Sequence, residues 1–526
     1  MNSRTTLALF ALVFFLVGSW ANLEAPLTYW DQANLLWASS AGIAPTQTSL
    51  LYLVLLRTLG AVGLISVPLL RHLQAAGVLL TVPMIYLLVR QLWGANSAGS
   101  VAVALYLLSP ATVQGTQSLA LADASYLPAV FCAWAVCYLR TDGGRWPDML
   151  VLVVLSAIAF GVKSTSSLGL LLVPMFGLAL ARSKTARRDQ LLKLVAAVIG
   201  LGLFSFVWAV TSMYLRVGAM VGEASEGLST APDPVRLAFH LAVGVAWWGP
   251  FMALLTAAGA LFLWRDADHQ RRALVCGVSA YCVAYLAVGG MNHGYPRYYM
   301  AVLPIFCAIA VGPIAPAVPR FRDLLIALLA AALLLFVGDP ILGLNLGVRR
   351  AVIEGTLGSH LAGESLRWMF WAVVPVVVAW AGLPTWRRRI LSASIASFVA
   401  LGTIQIAADY TTGYEYGGSG RETAVERIRR GVSVGGAVVA PPSVSARLKS
   451  EGLVGMSHAD WRNRESIRAY MARSMPQALL LGITENSLDQ LRWFLEEPPG
   501  VFAGCSERFE QIGTYWLCFA TPSRGR

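Results

Sequence analysis

Apolar residues come in runs of about 20 along most of this chain, each long enough to cross a bilayer and each bounded by a short polar gap. The pattern predicts helical spans near 5–22, 73–90, 98–115, 124–140, 148–162, 167–182, 191–213, 238–264, 273–290, 300–318, 323–338, 368–384 and 390–408. The first run, Thr5 to Ala21, follows Arg4 and has the charge and length of a signal peptide. No small-x-small cleavage site stands out after it, so it reads as an uncleaved first span. The stretch "SLLYLVLLRTLGAVGLISVPLL" is as apolar as a span, but Arg57 sits in its middle and Pro68 near its end. Counting it as a full span would reverse every later loop, so it reads as helices lying along the outer membrane surface. Two other outer loops are long, at about 214–237 and 339–367.

From about 409 the pattern changes. "SGRETAVERIRRG" predicts a helix capped by Ser419 and stopped by Gly431. "GGAVVAPP" and "ALLLGI" read as short buried strands, "NRESIRAYMARSM" and "ENSLDQLRWFLEE" as helices, and "VFAGC" with "GTYWLCFA" as a closing strand pair. The expected fold class is therefore a polytopic α-helical membrane protein over residues 1–408, with a small α/β domain over 409–526.

Composition agrees. The chain is 57% hydrophobic and 13% charged, with a mean hydropathy of +0.62. A soluble protein carries roughly twice that charge fraction. A net charge of +12 raises the question of nucleic acid, but its distribution answers it. The basic residues fall in alternate gaps: Arg90, then Arg140 and Arg145, then "RSKTARRDQLLK", "WRDADHQRR", "PRFRD" and "WRRR". That is the positive-inside pattern, so these gaps are expected in the cytosol and no nucleic-acid partner is expected. The odd span count then puts the C-terminal domain on the extracytoplasmic side of a cell membrane. Five cysteines fall in spans, where they read as small buried residues. Cys505 and Cys518 fall in the outer tail on expected neighbouring strands, where an oxidising compartment allows a disulfide. No CxxC pair or His/Cys cluster suggests zinc.

Ionisable groups at the outer face are the candidates for chemistry, because charge near a membrane is costly to keep. Asp31, in "LTYWDQANLLWASSAGIAP", is the sole acid between Glu24 and Asp123. It fits a cap for the helix that follows, or a general base. Asp123, in "QSLALADASYLP", fits an N-cap of the fourth span or a second acid. Arg71 and His72 open the second span, Lys163 follows the fifth, and "NHGYPRYYMAVLP" brings His293, Arg297 and Tyr298 to the start of the tenth. Outward cations serve as snorkelling anchors or as phosphate ligands. "YGGSGRE" lacks the Gly-Lys-Ser/Thr ending of a phosphate loop and reads as a flexible entry to a helix.

The order of these features resembles the GT-C glycosyltransferases that use polyprenyl-phosphate sugars, in particular the protein O-mannosyltransferases and the lipid A aminoarabinose transferases. The resemblance is densest over residues 25–175. "YWDQANLLWASSAGIAP" is similar to the acidic motif of the family's first loop. "PLLRHLQAAGVLLTVPMIYLLVRQLWG" resembles its second span, "LYLLSPATVQGTQSLALADASYLP" its second acidic site, and "HGYPRYYMAVLPIFCAIA" its Arg-Tyr segment. Roughly thirteen spans followed by an outer α/β tail match the aminoarabinose transferase layout.

The resemblance implies an integral-membrane enzyme that moves a sugar from a polyprenyl-phosphate donor to an extracytoplasmic glycan, lipid or protein by inverting displacement. Asp31 and Asp123 would be catalytic. Arg71, Lys163, His293, Arg297 and Tyr298 would hold the lipid phosphate and sugar; no cofactor is expected and no metal is required on this account, with a divalent ion near Asp31 and Asp123 as the alternative. Family members usually carry Asp-Glu at the first site, where this chain has Trp30-Asp31-Gln32. Two other readings stand beside the enzyme: a transporter or flippase of lipid-linked sugars, and a catalytically inactive homologue that binds them.

Overall fold

The computed structural model describes residues 3–21, 50–94, 96–109, 112, 122–141, 145–215, 250–266, 268–287, 299–312, 392, 421–441, 444–445, 448–449, 451–456, 460, 464–482, 488–497, 499–505, 508–512 and 515–520. Its membrane-type part begins with α1 (Ser3–Ala21), α2 (Leu50–Ala61), α3 (Val67–Trp93) and α4 (Asn96–Leu107). It continues with α5 (Ala122–Arg140), α6 (Trp146–Val162), the four-residue α7 (Ser164–Ser167), a 3-10 turn (Leu168–Leu171) and α8 (Leu172–Leu180). Then come α9 (Lys184–Leu215), α10 (Pro250–Asp266), α11 (His269–Ala287) and α12 (Leu303–Ala310).

Of the described helices, Pro68–Trp93 and Lys184–Thr211 are long and apolar enough to cross a membrane, with mean hydropathies of 1.7 and 2.2. The thirteen spans expected from the sequence are thus not all matched by full-length helices. α6 has 17 residues, about 25 Å at 1.5 Å per residue, slightly short of a hydrocarbon core. The expected sixth span starts in a 3-10 turn before it becomes α8. The expected spans at 323–338, 368–384 and 390–408 lie outside the described residues, apart from Ser392. α9 leaves much of its apolar surface uncovered, with Phe206 74% exposed, as a lipid-facing helix does.

The stretch read as surface helices divides in two. α2 is 12 residues, about 18 Å, too short to span. The chain then turns through Gly63, at φ +70°, and α3 begins earlier than the span pattern predicts. Its start is written in the sequence: Ser66 Oγ accepts the Leu69 N–H at 3.3 Å, and Pro68 occupies the first turn where no donor is needed. Its end is written by Gly94 in the left-handed conformation.

The helices pack around a single apolar core drawn from α1 to α12, and glycines let several of them approach closely. A Cβ on Gly277 of α11 would lie 2.7 Å from the Cα of Val173 in α8. A Cβ on Gly200 of α9 would strike the Val153 carbonyl of α6.

The C-terminal part contains α13 (Arg421–Gly431), β1 (Ala437–Val439), β2 (Val454–Gly455), α14 (Arg464–Ser474), β3 (Ala478–Gly482), α15 (Leu488–Glu496), β4 (Glu510–Ile512) and β5 (Tyr515–Phe519). They form one mixed sheet in the order β2-β1-β3-β5-β4, parallel among the first three and antiparallel from β3 onward. β3 is buried at every position because it is covered on both faces. Leu479 and Leu481 join Trp493 and Phe494 on one side, while Ala478 and Leu480 join Ala424 and Ile428 on the other.

Two expectations change here. "VFAGC" is not a strand: Gly500–Phe502 is a 3-10 turn, and the hairpin partner of β5 is the polar edge strand β4. Cys505 and Cys518 are disulfide-bonded, with Cα atoms 5.8 Å apart, but from a turn to a strand rather than between two strands.

Candidate functional site

Two ends of the bundle can be told apart by their bonds. At one end, the start of α5 is bound to the start of α3. Ser125 Oγ donates to Gln74 Oε1, and Tyr126 Oη donates to the Leu73 carbonyl at 2.7 Å. Gly77 permits the approach, since a Cβ there would lie 3.0 Å from the Tyr126 ring. α5 and α6 run antiparallel, joined by a short connection at 141–145 and bonded midway from Trp134 Nε1 to Ser156 Oγ at 3.0 Å. The end of α6, where Lys163 stands, therefore shares the end of the bundle with the starts of α3 and α5.

Arg71, in the opening turns of α3, is only 3% exposed, and its neighbour Gln74 is likewise buried. Lys163 is only 4% exposed. Neither cation is a snorkelling anchor reaching for water. Lys163 is held by its backbone: its N–H closes α6 on the Ala159 carbonyl at 2.8 Å, and its carbonyl accepts the Ser167 N–H of α7 at 3.0 Å. At φ −156° and ψ 100° it is an extended residue between two helices. The same end holds Tyr285, near the end of α11, bonded through its hydroxyl to Ser166 Oγ at 3.1 Å. The Tyr285 ring meets Tyr281 edge-on at 4.8 Å and Tyr299 at 6.4 Å. Tyr299 directly follows the expected Arg297-Tyr298 pair.

Asp123 falls inside the first turn of α5, one residue past the helix start, rather than in the cap position. Asp31, His293, Arg297 and Tyr298 lie outside the described residues. The structure thus gathers Arg71, Asp123 and Lys163 at one end of the helices.

The opposite end carries the basic gaps and one buried polar network that sequence reasoning missed. Lys193 and Asp189 of α9 pair at 2.8 Å, with the lysine side chain wholly shielded. Lys193 Nζ also lies 4.7 Å over the Tyr138 ring of α5. Tyr138 Oη donates to Gln190 Oε1 at 2.6 Å, and Gln270 of α11 reaches Asp189 Oδ2 at 3.4 Å. The signal was the i, i+4 spacing of an acid before a base, hidden within a basic gap. Tyr285 and Ser166 were missed for a different reason: they are 119 residues apart and meet only in the fold.

Residues 46–209 match the family of dolichyl-phosphate-mannose-protein mannosyltransferases. No curated protein sequence matches the chain. The crystal structure of ArnT from Cupriavidus metallidurans bound to undecaprenyl phosphate is similar over 99% of this chain and 98% of that one, at 14% identity and a TM-score of 0.50. The Archaeoglobus fulgidus oligosaccharyltransferase tethered with an acceptor peptide is similar over 90% of this chain and 69% of that one, at 10% identity and a TM-score of 0.41. Over its first spans the chain is thus similar to the mannosyltransferase family, and along nearly its whole length it shares the fold of ArnT, a likeness that agrees with the GT-C resemblance read from the sequence.

Proposed function

We propose that this protein transfers a sugar from a polyprenyl-phosphate donor to an acceptor outside the cytoplasm. The observation that carries the reading is the pair of buried cations, Arg71 and Lys163, at the end of the bundle opposite the basic gaps. Cations kept at the membrane face out of bulk water are costly to hold without a function, and a lipid phosphate is an anion that such side chains bind well. By the positive-inside rule the Arg90 and Arg140 end faces the cytosol, so the Arg71 and Lys163 end opens outward, as does the α/β domain of 409–526.

In the reaction, the Asp31 carboxylate accepts the proton of an acceptor hydroxyl or amine as that group attacks the anomeric carbon. The new bond forms on the face opposite the lipid phosphate, whose C–O bond breaks with its electron pair leaving on the phosphate oxygen. Configuration at the anomeric carbon inverts. Arg71, Lys163 and Arg297 offset the charge that grows on that oxygen, and His293 and Tyr298 hold phosphate and sugar hydroxyls. Asp123, in the first turn of α5, orients the acceptor or the sugar.

The test incubates purified protein in lipid with a radiolabelled polyprenyl-phosphate sugar and extracted envelope glycans, lipids and proteins. Label moved to an acceptor supports the proposal. Binding without transfer turns the reading to an inactive homologue, and movement of the lipid between leaflets turns it to a flippase.

A further inference from the structure

We propose that Tyr285 is a positioning residue for the Lys163 ammonium, an inference that rests on Lys163 binding the donor's lipid phosphate. Lys163 is the one extended residue between α6 and α7, so where its side chain stands depends on how α7 is held against the rest of the bundle. α7 is four residues long and cannot hold itself. Within it, Ser167 Oγ turns back to the Ser164 carbonyl at 2.7 Å, a local bond that fixes nothing outside the turn. Ser166 Oγ, by contrast, reaches out of the turn to Tyr285 Oη, and Ser166 itself is fully buried.

Tyr285 is a fixed partner. Its ring is gripped edge-on by Tyr281, one helical turn earlier, and by Tyr299 across the bundle. Tyr281 in turn covers Gly169 so closely that a Cβ there has no room. α11 is therefore a rigid platform against the 3-10 turn and α8, and the Tyr285 hydroxyl transmits that rigidity to the break at Lys163. A cation preset in this way binds a phosphate without first losing side-chain freedom, which is how preorganisation raises affinity.

The experiment uses the full chain in lipid nanodiscs, titrated with a polyprenyl phosphate lacking sugar and, in parallel, with inorganic phosphate. Tyr285→Phe keeps the ring and removes the hydroxyl, and Ser166→Ala removes the other half of the bond. Each should weaken polyprenyl-phosphate binding by about three- to tenfold, the size of one lost neutral hydrogen bond, with yield and membrane insertion kept and at most a small drop in melting temperature. Lys163→Ala should weaken binding further, and Tyr285→Phe added to it should change nothing more, because the hydroxyl acts through the ammonium.

Full additivity of the two substitutions, or wild-type binding by Tyr285→Phe and Ser166→Ala, overturns the inference while leaving the lipid-phosphate reading in place. Unchanged lipid binding by Lys163→Ala overturns that reading itself. A Lys163-dependent response to inorganic phosphate alone assigns the site to a free anion and overturns both.

Discussion

Lys193 Nζ stands 2.8 Å from Asp189 Oδ2, and the lysine side chain is wholly shut off from solvent. The pair ties the first turns of α9 to the last turn of α5 through Tyr138 and to the first turn of α11 through Gln270. Lys193→Met would strand the carboxylate without its partner. The expected loss is about 3–5 kcal/mol, read as a lower melting temperature in detergent. Lys193→Met combined with Asp189→Leu should regain most of it, because two apolar side chains need no partner. A single variant as stable as wild type would show that the network holds nothing.

Asp31→Asn keeps the shape of the side chain and removes its basicity. Transfer from a polyprenyl-phosphate sugar should fall by at least the ~10²–10⁴-fold typical of a lost general base, with membrane insertion and yield unchanged. Wild-type turnover would reduce Asp31 to a helix cap.

Arg71→Ala should raise the KM for the lipid donor more than that for the acceptor. An interaction of a buried guanidinium with phosphate is worth about 1.5–3 kcal/mol, or roughly a 10- to 150-fold weaker donor affinity. Equal losses on both substrates would speak against a phosphate role.

Replacing Cys505 and Cys518 by serine releases a cross-link that closes 13 residues of sequence separation. A loop of this size stabilises by about 3 kcal/mol in the chain-entropy account. Reduction of the native protein should therefore speed proteolysis between β4 and the 3-10 turn at Gly500–Phe502, and the double serine variant should be cut at the same rate without reductant.

Legibility followed the range of the signal. Local chemistry was readable: α13, α14 and α15 fall within the segments that read as helices, and β1 and β3 within the short apolar runs that read as strands. The edge strand β4 escaped because only Ile512 of its three residues is buried, leaving no alternation to read. The apolar "VFAGC" misled for the opposite reason, since it follows Pro498-Pro499-Gly500 and curls into a 3-10 turn. At the candidate site, a charge at the end of a span was enough to single out Lys163 and Arg71. Their burial was not legible, nor was the Ser166–Tyr285 bond, because both depend on helices brought together from distant parts of the chain.

Two of the close helix approaches have a consequence for how such a chain can diverge. At Gly200 and Gly277 an added methyl group would meet main-chain atoms of the neighbouring helix, which no rotamer change can move aside. Mutational drift can rewrite lipid-facing leucines and valines freely, yet at these two crossings the smallest possible growth forces whole helices apart. Sequence identity can therefore sink very low while the spacing of the bundle, and with it the separation of its polar ends, stays put.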